Sequence, residues 1–222
     1  MTSSHGLARI PKWQHAFLER HRLGTDYLET ALQWFTPVAL SLVRLQRKVN
    51  RPILVALNGC QGSGKTTASD YLCGALTEEQ GLNTVALSLD DFYLTHSERR
   101  ALAASIHPLL ETRGVPGTHD MSLLRLTLEQ LLDTHSNKPI AIPRFDKAMD
   151  DRRPLSDWDS IDTPVQCALL EGWCLGAKPE SGETLAEPVN DLERDEDSRV
   201  VWRDYYNAFL ASHFLPLYPL FD

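Results

Sequence analysis

The sequence predicts an α/β fold: a doubly wound, mainly parallel sheet with an N-terminal helical extension. Three observations predict it. An apolar run, LVAL (54–57), passes into a glycine-rich stretch that fills the pattern G-x-x-x-x-G-K-[ST] with Gly59, Gly64, Lys65 and Thr66, the signature of the P-loop NTPase type. After it, Ala68, Tyr71, Leu72, Ala75 and Leu76 recur along one helical face. A β-rich run, TVALSL (84–89), then ends in Asp90 and Asp91. Strand, helix and strand at this spacing form a βαβ unit, whose strands are parallel.

The loop residues Gly59, Cys60, Gln61, Gly62, Ser63, Gly64, Lys65, Thr66 and Thr67 form the expected nucleotide-binding segment. Glycines allow positive φ and close approach of the backbone to an anion. Successive N–H groups then cradle phosphate oxygens, and the helix that follows aims its positive end at them. Lys65 supplies a point charge for the β- and γ-phosphates, and the Thr66 hydroxyl is placed to ligate Mg²⁺. Gly81 is the expected C-cap of the helix.

Before the loop, residues 11–48 read as helices. Trp13, Phe17 and Leu18 mark a first. Tyr27, Leu28, Ala31, Leu32 and Phe35 mark a second. Pro37 is expected to open a third, with Val38, Leu42 and Leu45 along it. Arg51 and Pro52 mark a boundary between a helical extension, 1–50, and an α/β domain, 51–222. After Asp91, the box Thr95-His96-Ser97-Glu98 opens a helix through about Ser105. Asp120 caps the next, whose Leu124, Leu128, Leu131 and Leu132 face the core. PIAIP (139–143) reads as a short strand, and residues 144–158 as a polar stretch that Pro154 keeps from being helical. VQCALL (165–170) is a third buried strand that ends in Glu171 and Gly172. Residues 178–198 are acidic and rich in Pro and Gly, as expected of a mobile loop or lid. Val201, Tyr205, Ala208 and Phe209 indicate a last helix. Residues 214–222 are apolar and read as a chain entering a further strand.

With 222 residues, 42% of them hydrophobic and 23% charged, the chain is of ordinary globular composition. A net charge of −8 argues against a nucleic-acid partner. Cys60, Cys73, Cys167 and Cys174 have no C-x-x-C spacing, which fits a reduced, cytoplasmic setting. Residues 1–12 carry no apolar h-region, so no signal peptide is expected, and no run is apolar enough to span a membrane.

A phosphate loop alone indicates a nucleotide. Acids at the ends of further strands indicate what is done with it. In doubly wound sheets, ligands bind at the carboxyl edge of the strands, where Asp90, Asp91 and Glu171 stand beside the loop. Phosphoryl transfer needs a metal, a positive clamp and an acceptor for the proton of the attacking hydroxyl. Asp90 can serve as that base and Glu171 can organise Mg²⁺. The same acids could instead cap a helix or form an ion pair. Arg113, Arg144, Lys147, Arg152 and Arg153 are cations available to an acidic acceptor.

The segments NGCQGSGKTT, SLDDFYLTHSER, ETRGVPGTHD, IPRFDKAMDDR and LLEGWCLG resemble the D-glycerate 3-kinase family, P-loop kinases related to phosphoribulokinase, uridine kinase and pantothenate kinase. The resemblance runs from about residue 52 to 173. It implies an ATP- and Mg²⁺-dependent kinase acting on a hydroxyl of a small hydroxy acid or polyol, D-glycerate first. Lys65, Asp90 and Glu171 would be catalytic, and Thr66 and Glu171 would hold the metal. Acceptor contacts would come from Asp91, Tyr93, Arg113, His119, Asp146, Lys147 and Arg152. It also implies a further strand and helical segments beyond Asp222, so that the kinase domain, 51–222, is expected to be incomplete at its C-terminal end. Two alternatives remain: another metabolite kinase of the same type, or a nucleotide-binding protein without catalysis. A GTPase is disfavoured, since no N-K-x-D segment is present.

Overall fold

The computed structural model describes residues 10–135 and 137–222. Residues 1–9, part of the stretch expected to lack a signal peptide, lie outside these.

Helix α1 (Lys12–His21) and helix α2 (Tyr27–Val49) open the described chain. Pro37 lies inside α2 and does not start a third helix. A proline there removes one backbone hydrogen bond. The helix continues because Ala31, Ala39, Leu42 and Val43 on both sides of it are buried against one apolar cluster. Strand β1 (Ile53–Asn58) leads into the glycine-rich loop and then helix α3 (Lys65–Gly74), which relaxes into a π turn over Ala75–Glu79. Gly81, at φ 64°, follows the turn.

Strand β2 (Thr84–Ser88) is parallel to β1, as expected, but the two are not neighbours. Strand β7 (Cys167–Gly172) lies between them, paired in parallel with both, in the order β1-β7-β2. All six residues of β7 are buried. A central strand covered on both faces needs such a continuous apolar run. Its side chains alternate. Cys167 and Leu169 join Ile53, Tyr71 and Leu72 beneath α1, α2 and α3. Ala168 and Leu170 join Leu54, Leu87 and Leu89 on the opposite face. There the cover is helix α5 (Met121–Leu132), through Leu124, Leu128 and Leu131, together with Leu210 and Phe214. The N-terminal helices thus share a core with the sheet.

Between β2 and α5 lie a 3₁₀ turn (Leu89–Phe92) and helix α4 (His96–Ser105), whose Thr95–Glu98 capping box is formed. Strand β3 (Ile140–Ile142) pairs antiparallel with β6 (Asp159–Ile161). Within the polar stretch, β4 (Phe145–Asp146) and β5 (Asp151–Arg152) form a small hairpin. Asp150 stands at its turn with φ 55°.

The last part of the chain adds detail to the sequence reading. Residues 178–198, expected as a mobile loop or lid, are partly helical. They contain α6 (Gly182–Ala186), capped by Ser181, and α7 (Asp191–Glu196), capped by Asn190. Helix α8 (Val201–Phe209) follows where a last helix is expected; it buries Trp202 and Arg203, and Ala208 is exposed. A buried ion pair fastens this segment to α8. Arg203, 2% exposed, bonds the Asp197 carboxylate at 3.1 Å, the Asp197 carbonyl at 2.9 Å and the Leu185 carbonyl at 2.7 Å. Asp197 also accepts the backbone N–H of Trp202 at 2.9 Å. Burial works to raise the Asp197 carboxyl, but these donors outweigh it and hold the group below the usual carboxylate range. At the chain end, a 3₁₀ turn over Leu215–Leu220 brings Asp222 beside β1, where its N–H donates to the Leu54 carbonyl at 2.9 Å.

Arg203→Met should therefore lower stability by about 3–5 kcal/mol, because it strands a buried carboxylate. Denaturant unfolding measures the loss. A change within the error of the wild type would show that the pair does not fasten this segment.

Candidate active site

The phosphate loop uses its glycines for two different reasons. Gly62 and Gly64 have φ of 75° and 85°, a region that side chains disfavour. Gly64 is the residue from which α3 starts. Gly59 is needed for space, since a Cβ there would stand 2.7 Å from Ser63 Oγ and 3.1 Å from Lys65 Cγ. Lys65 Nζ donates to the Cys60 carbonyl at 2.9 Å, so its charge lies over the loop.

Parallel register brings the next groups to the same edge. Leu57, Glu171 and Ser88 are aligned across the three strands. Glu171, 6% exposed, accepts Thr66 Oγ1 at 2.8 Å and Ser88 Oγ at 2.9 Å. Ser88 Oγ also accepts the Asp90 N–H at 3.3 Å, which sets the 3₁₀ turn that carries both acids. The turn sends them apart. Asp91 binds Arg144 at 2.7 Å and the Phe145 N–H at 3.1 Å. Asp90 meets Lys147 Nζ at 2.7 Å. Burial tends to raise the Asp90 carboxyl, but Lys147, then Tyr93 and His119, hold it below the usual range.

Behind Tyr93 the His119 ring stacks at 4.4 Å and 25°. His119 is 2% exposed, and burial pushes its pKa down to about 4. Neither ring nitrogen has a hydrogen-bond partner among the described residues.

Two cavities meet at Asp90. One, of about 270 Å³, is lined by Gln61, Lys65, Thr66, Asp90, Lys147 and Glu171. The other, of about 620 Å³, shares Gln61, Asp90 and Lys147 and adds Tyr93, Arg113 and Asp150. Of the residues expected to contact an acceptor, Tyr93, Arg113 and Lys147 line the larger cavity, whereas Asp91, His119, Asp146 and Arg152 do not. Asp146 caps its own turn, accepting the N–H groups of Ala148 at 2.9 Å and Met149 at 3.1 Å. Arg152 holds the hairpin to the acid-bearing turn, through the Tyr93 carbonyl at 2.9 Å and Asp120 at 3.1 Å. Sequence reasoning misses Ser88, Arg99 and Asp150. Each acts through partners distant in sequence, and no local pattern marks them.

The oxygen donors also fit a metal. Among the described residues, no three His, Cys, Asp or Glu side chains group as ligands. A threonine hydroxyl and one or two carboxylates beside a phosphate loop is instead the set that Mg²⁺ uses when it arrives with its phosphates.

Fold, loop and acid placement define the class, a P-loop α/β protein. No family model matches the chain. The chain is 37% identical over 178 residues to the chloroplastic D-glycerate 3-kinase of Arabidopsis thaliana, covering 72% of this chain and 37% of that protein. It is 36% identical over 136 residues to the Schizosaccharomyces pombe kinase mug58, covering 58% of this chain and 48% of that one. The solved D-glycerate 3-kinase of Cryptococcus neoformans superposes with a TM-score of 0.60 at 30% identity, over 86% of this chain and 67% of that one. The chain belongs to the D-glycerate 3-kinase-like family of P-loop kinases. It spans about half the length, or less, of these two curated relatives. Among the described residues, no helix is long and apolar enough to cross a membrane.

Replacing Lys147 with Met should move the Asp90 titration upward, since burial then acts with its main opposing cation gone. In the wild type, the depressed pKa means that the stability contributed by Asp90 is present above its unfolded value, roughly 4, and is lost as pH falls through the lower folded value. Carboxyl-carbon NMR titration of both proteins checks the direction. An unchanged or lowered Asp90 midpoint in Lys147→Met would rule out this cause.

Proposed function

We propose that this chain carries the reaction centre of an ATP-dependent kinase that phosphorylates a hydroxyl of D-glycerate. The observation that supports the reading most is the meeting of two cavities at Asp90. One is lined by phosphate-loop residues, and the other is large enough for a small acceptor. On this reading the loop amides and Lys65 hold the phosphates, with the Lys65 ammonium moving from the Cys60 carbonyl onto the anion. Asp90 accepts the proton of the attacking hydroxyl. Its depressed pKa keeps it ionised at neutral pH, and Lys147 holds its carboxylate in place. Thr66 and Glu171 would hold Mg²⁺, which supplies charge neutralisation on the transferring phosphate. Tyr93 and Arg113 line the acceptor side, and Arg113 suits a carboxylate through its planar fork of donors. The named activity of the Arabidopsis relative supports glycerate as the acceptor. The cysteines are free thiols, which suits a reducing compartment such as the cytoplasm.

The test is ATP consumption by the purified chain with Mg²⁺ and a panel of D-glycerate, uridine, pantothenate and pentose phosphates. Turnover with glycerate is expected. Turnover only with another acceptor would overturn the substrate and keep the class, and ATP binding without transfer to any acceptor would point to a non-catalytic protein. Asp90→Asn should lower kcat by about 10²–10⁴-fold and leave ATP affinity unchanged. Equal loss of both would make Asp90 structural.

A further inference from the structure

At the acceptor cavity, two arginines share one carboxylate. Arg99 of α4 is completely buried. Its guanidinium is fixed by the carbonyls of Leu94 at 3.2 Å, Glu111 at 3.0 Å and Asp150 at 2.8 Å, and it reaches the Asp150 carboxylate at 2.9 Å. The other Asp150 oxygen binds Arg113 Nη1. Burial works to raise the Asp150 carboxyl, and the two guanidiniums hold it below the usual range instead. Both guanidinium carbons lie near the Phe145 ring, at 5.8 Å for Arg99 and 5.6 Å for Arg113.

The arrangement is asymmetric. Arg99 is spent on the protein: three carbonyls and a carboxylate take its donors. Arg113 lines the cavity with Asp150 and is partly exposed. Its other bond among the described residues is a 3.5 Å contact from Nη2 to the Lys147 carbonyl. Donors on Arg113 thus remain for a ligand. The positive φ of Asp150 belongs to the same device, since it lets the carbonyl and the carboxylate of one residue face Arg99 together. An arginine left alone in a solvated cavity samples many rotamers, and ordering it costs binding free energy. One held on a buried support does not incur that cost on binding.

We propose that Asp150, anchored by the buried Arg99, is a positioning residue that holds Arg113 ready to take the carboxylate of the acceptor, and so sets the preference for an acid over a neutral polyol. The proposal rests on the kinase reading for its acceptor. It differs from that reading in assigning specificity to two residues that do not themselves transfer or hold the phosphate. Asp90 and Lys147 form the reacting side of the same cavity, so the acid end of a small hydroxy acid at Arg113 leaves its hydroxyl end for Asp90.

The test uses calorimetry with a non-hydrolysable ATP analogue present, titrating D-glycerate and D-glyceramide into the wild type, Asp150→Asn, Asp150→Glu, Arg113→Met and Lys147→Met. Wild type should prefer the acid. Asp150→Asn and Arg113→Met should weaken glycerate binding by about ten- to a hundredfold, lose the preference for the acid and keep nucleotide affinity. Asp150→Glu should recover part of the preference. Arg113→Met leaves the Arg99–Asp150 pair intact, so it serves if Asp150→Asn fails to fold. Wild-type preference surviving in Arg113→Met, or lost only in Lys147→Met, overturns the proposal. Preference for the acid here, with no phosphate transfer to any acceptor in the ATP-consumption assay, would sink the kinase reading and leave the Arg113 clamp standing. Transfer to glycerate in that assay, with the preference intact in Asp150→Asn by calorimetry, would do the reverse. A wild type that binds neither nucleotide nor acid overturns both.

Discussion

The Glu171 carboxylate is the point on which the site depends. A carboxylate so little exposed is costly unless donors reach it. It has two, the hydroxyls of Thr66 and Ser88. Thr66 belongs to the first turn of α3, Ser88 is the last residue of β2, and Glu171 stands near the end of the strand between β1 and β2. One acid therefore ties the phosphate loop to the turn that carries Asp90. Hydrogen bonds to charged groups each contribute about 1.5–3 kcal/mol, so the tie is strong for its size. Central placement of β7 is the condition for it. Were β1 and β2 neighbours, Glu171 could not reach both hydroxyls from between them.

How far this was legible in the sequence follows from how local each signal is. The phosphate loop is a contiguous motif whose work is done by backbone N–H groups, so Gly59, Gly62 and Gly64 announce it. Strand β7 announces itself as a continuous apolar run, because it is covered on both faces. The Thr95–Glu98 box and the Asp120 cap act within three residues and were readable for the same reason. Pro37 misled because its local meaning, a helix start, yields to packing on both sides of it within α2.

What stayed hidden is long-range charge pairing. Arg99 and Asp150 are 51 residues apart. Arg203 and Asp197 are close in sequence, yet nothing in their pattern separates a buried pair from the exposed acids around them. A polar run reads as solvated, and most charges of residues 178–198 are exposed; the exceptions are the buried Glu193 and Asp197. Periodicity marks helix α8 but does not show that Arg203 is buried in it.

The two sides of the site are therefore built on different terms. The nucleotide side is held by backbone and hydroxyl groups from one contiguous loop and the strand ends beside it, so substitutions there act on a geometry that few sequences can make. The cavity proposed here for the acceptor is lined by side chains on four separate segments: Asp90 with Tyr93, His96, Arg113, and Lys147 with Asp150. Each of these can change without disturbing the sheet, provided that the charge it leaves behind finds a partner. A fold so arranged can keep its phosphate chemistry while its acceptor varies. The ion pairs around Arg113 and Lys147 are then more than surface decoration. They satisfy charged groups that would otherwise stand unpaired in the cavity, and on the proposed reading they hold those groups where an anionic acceptor and its hydroxyl would lie.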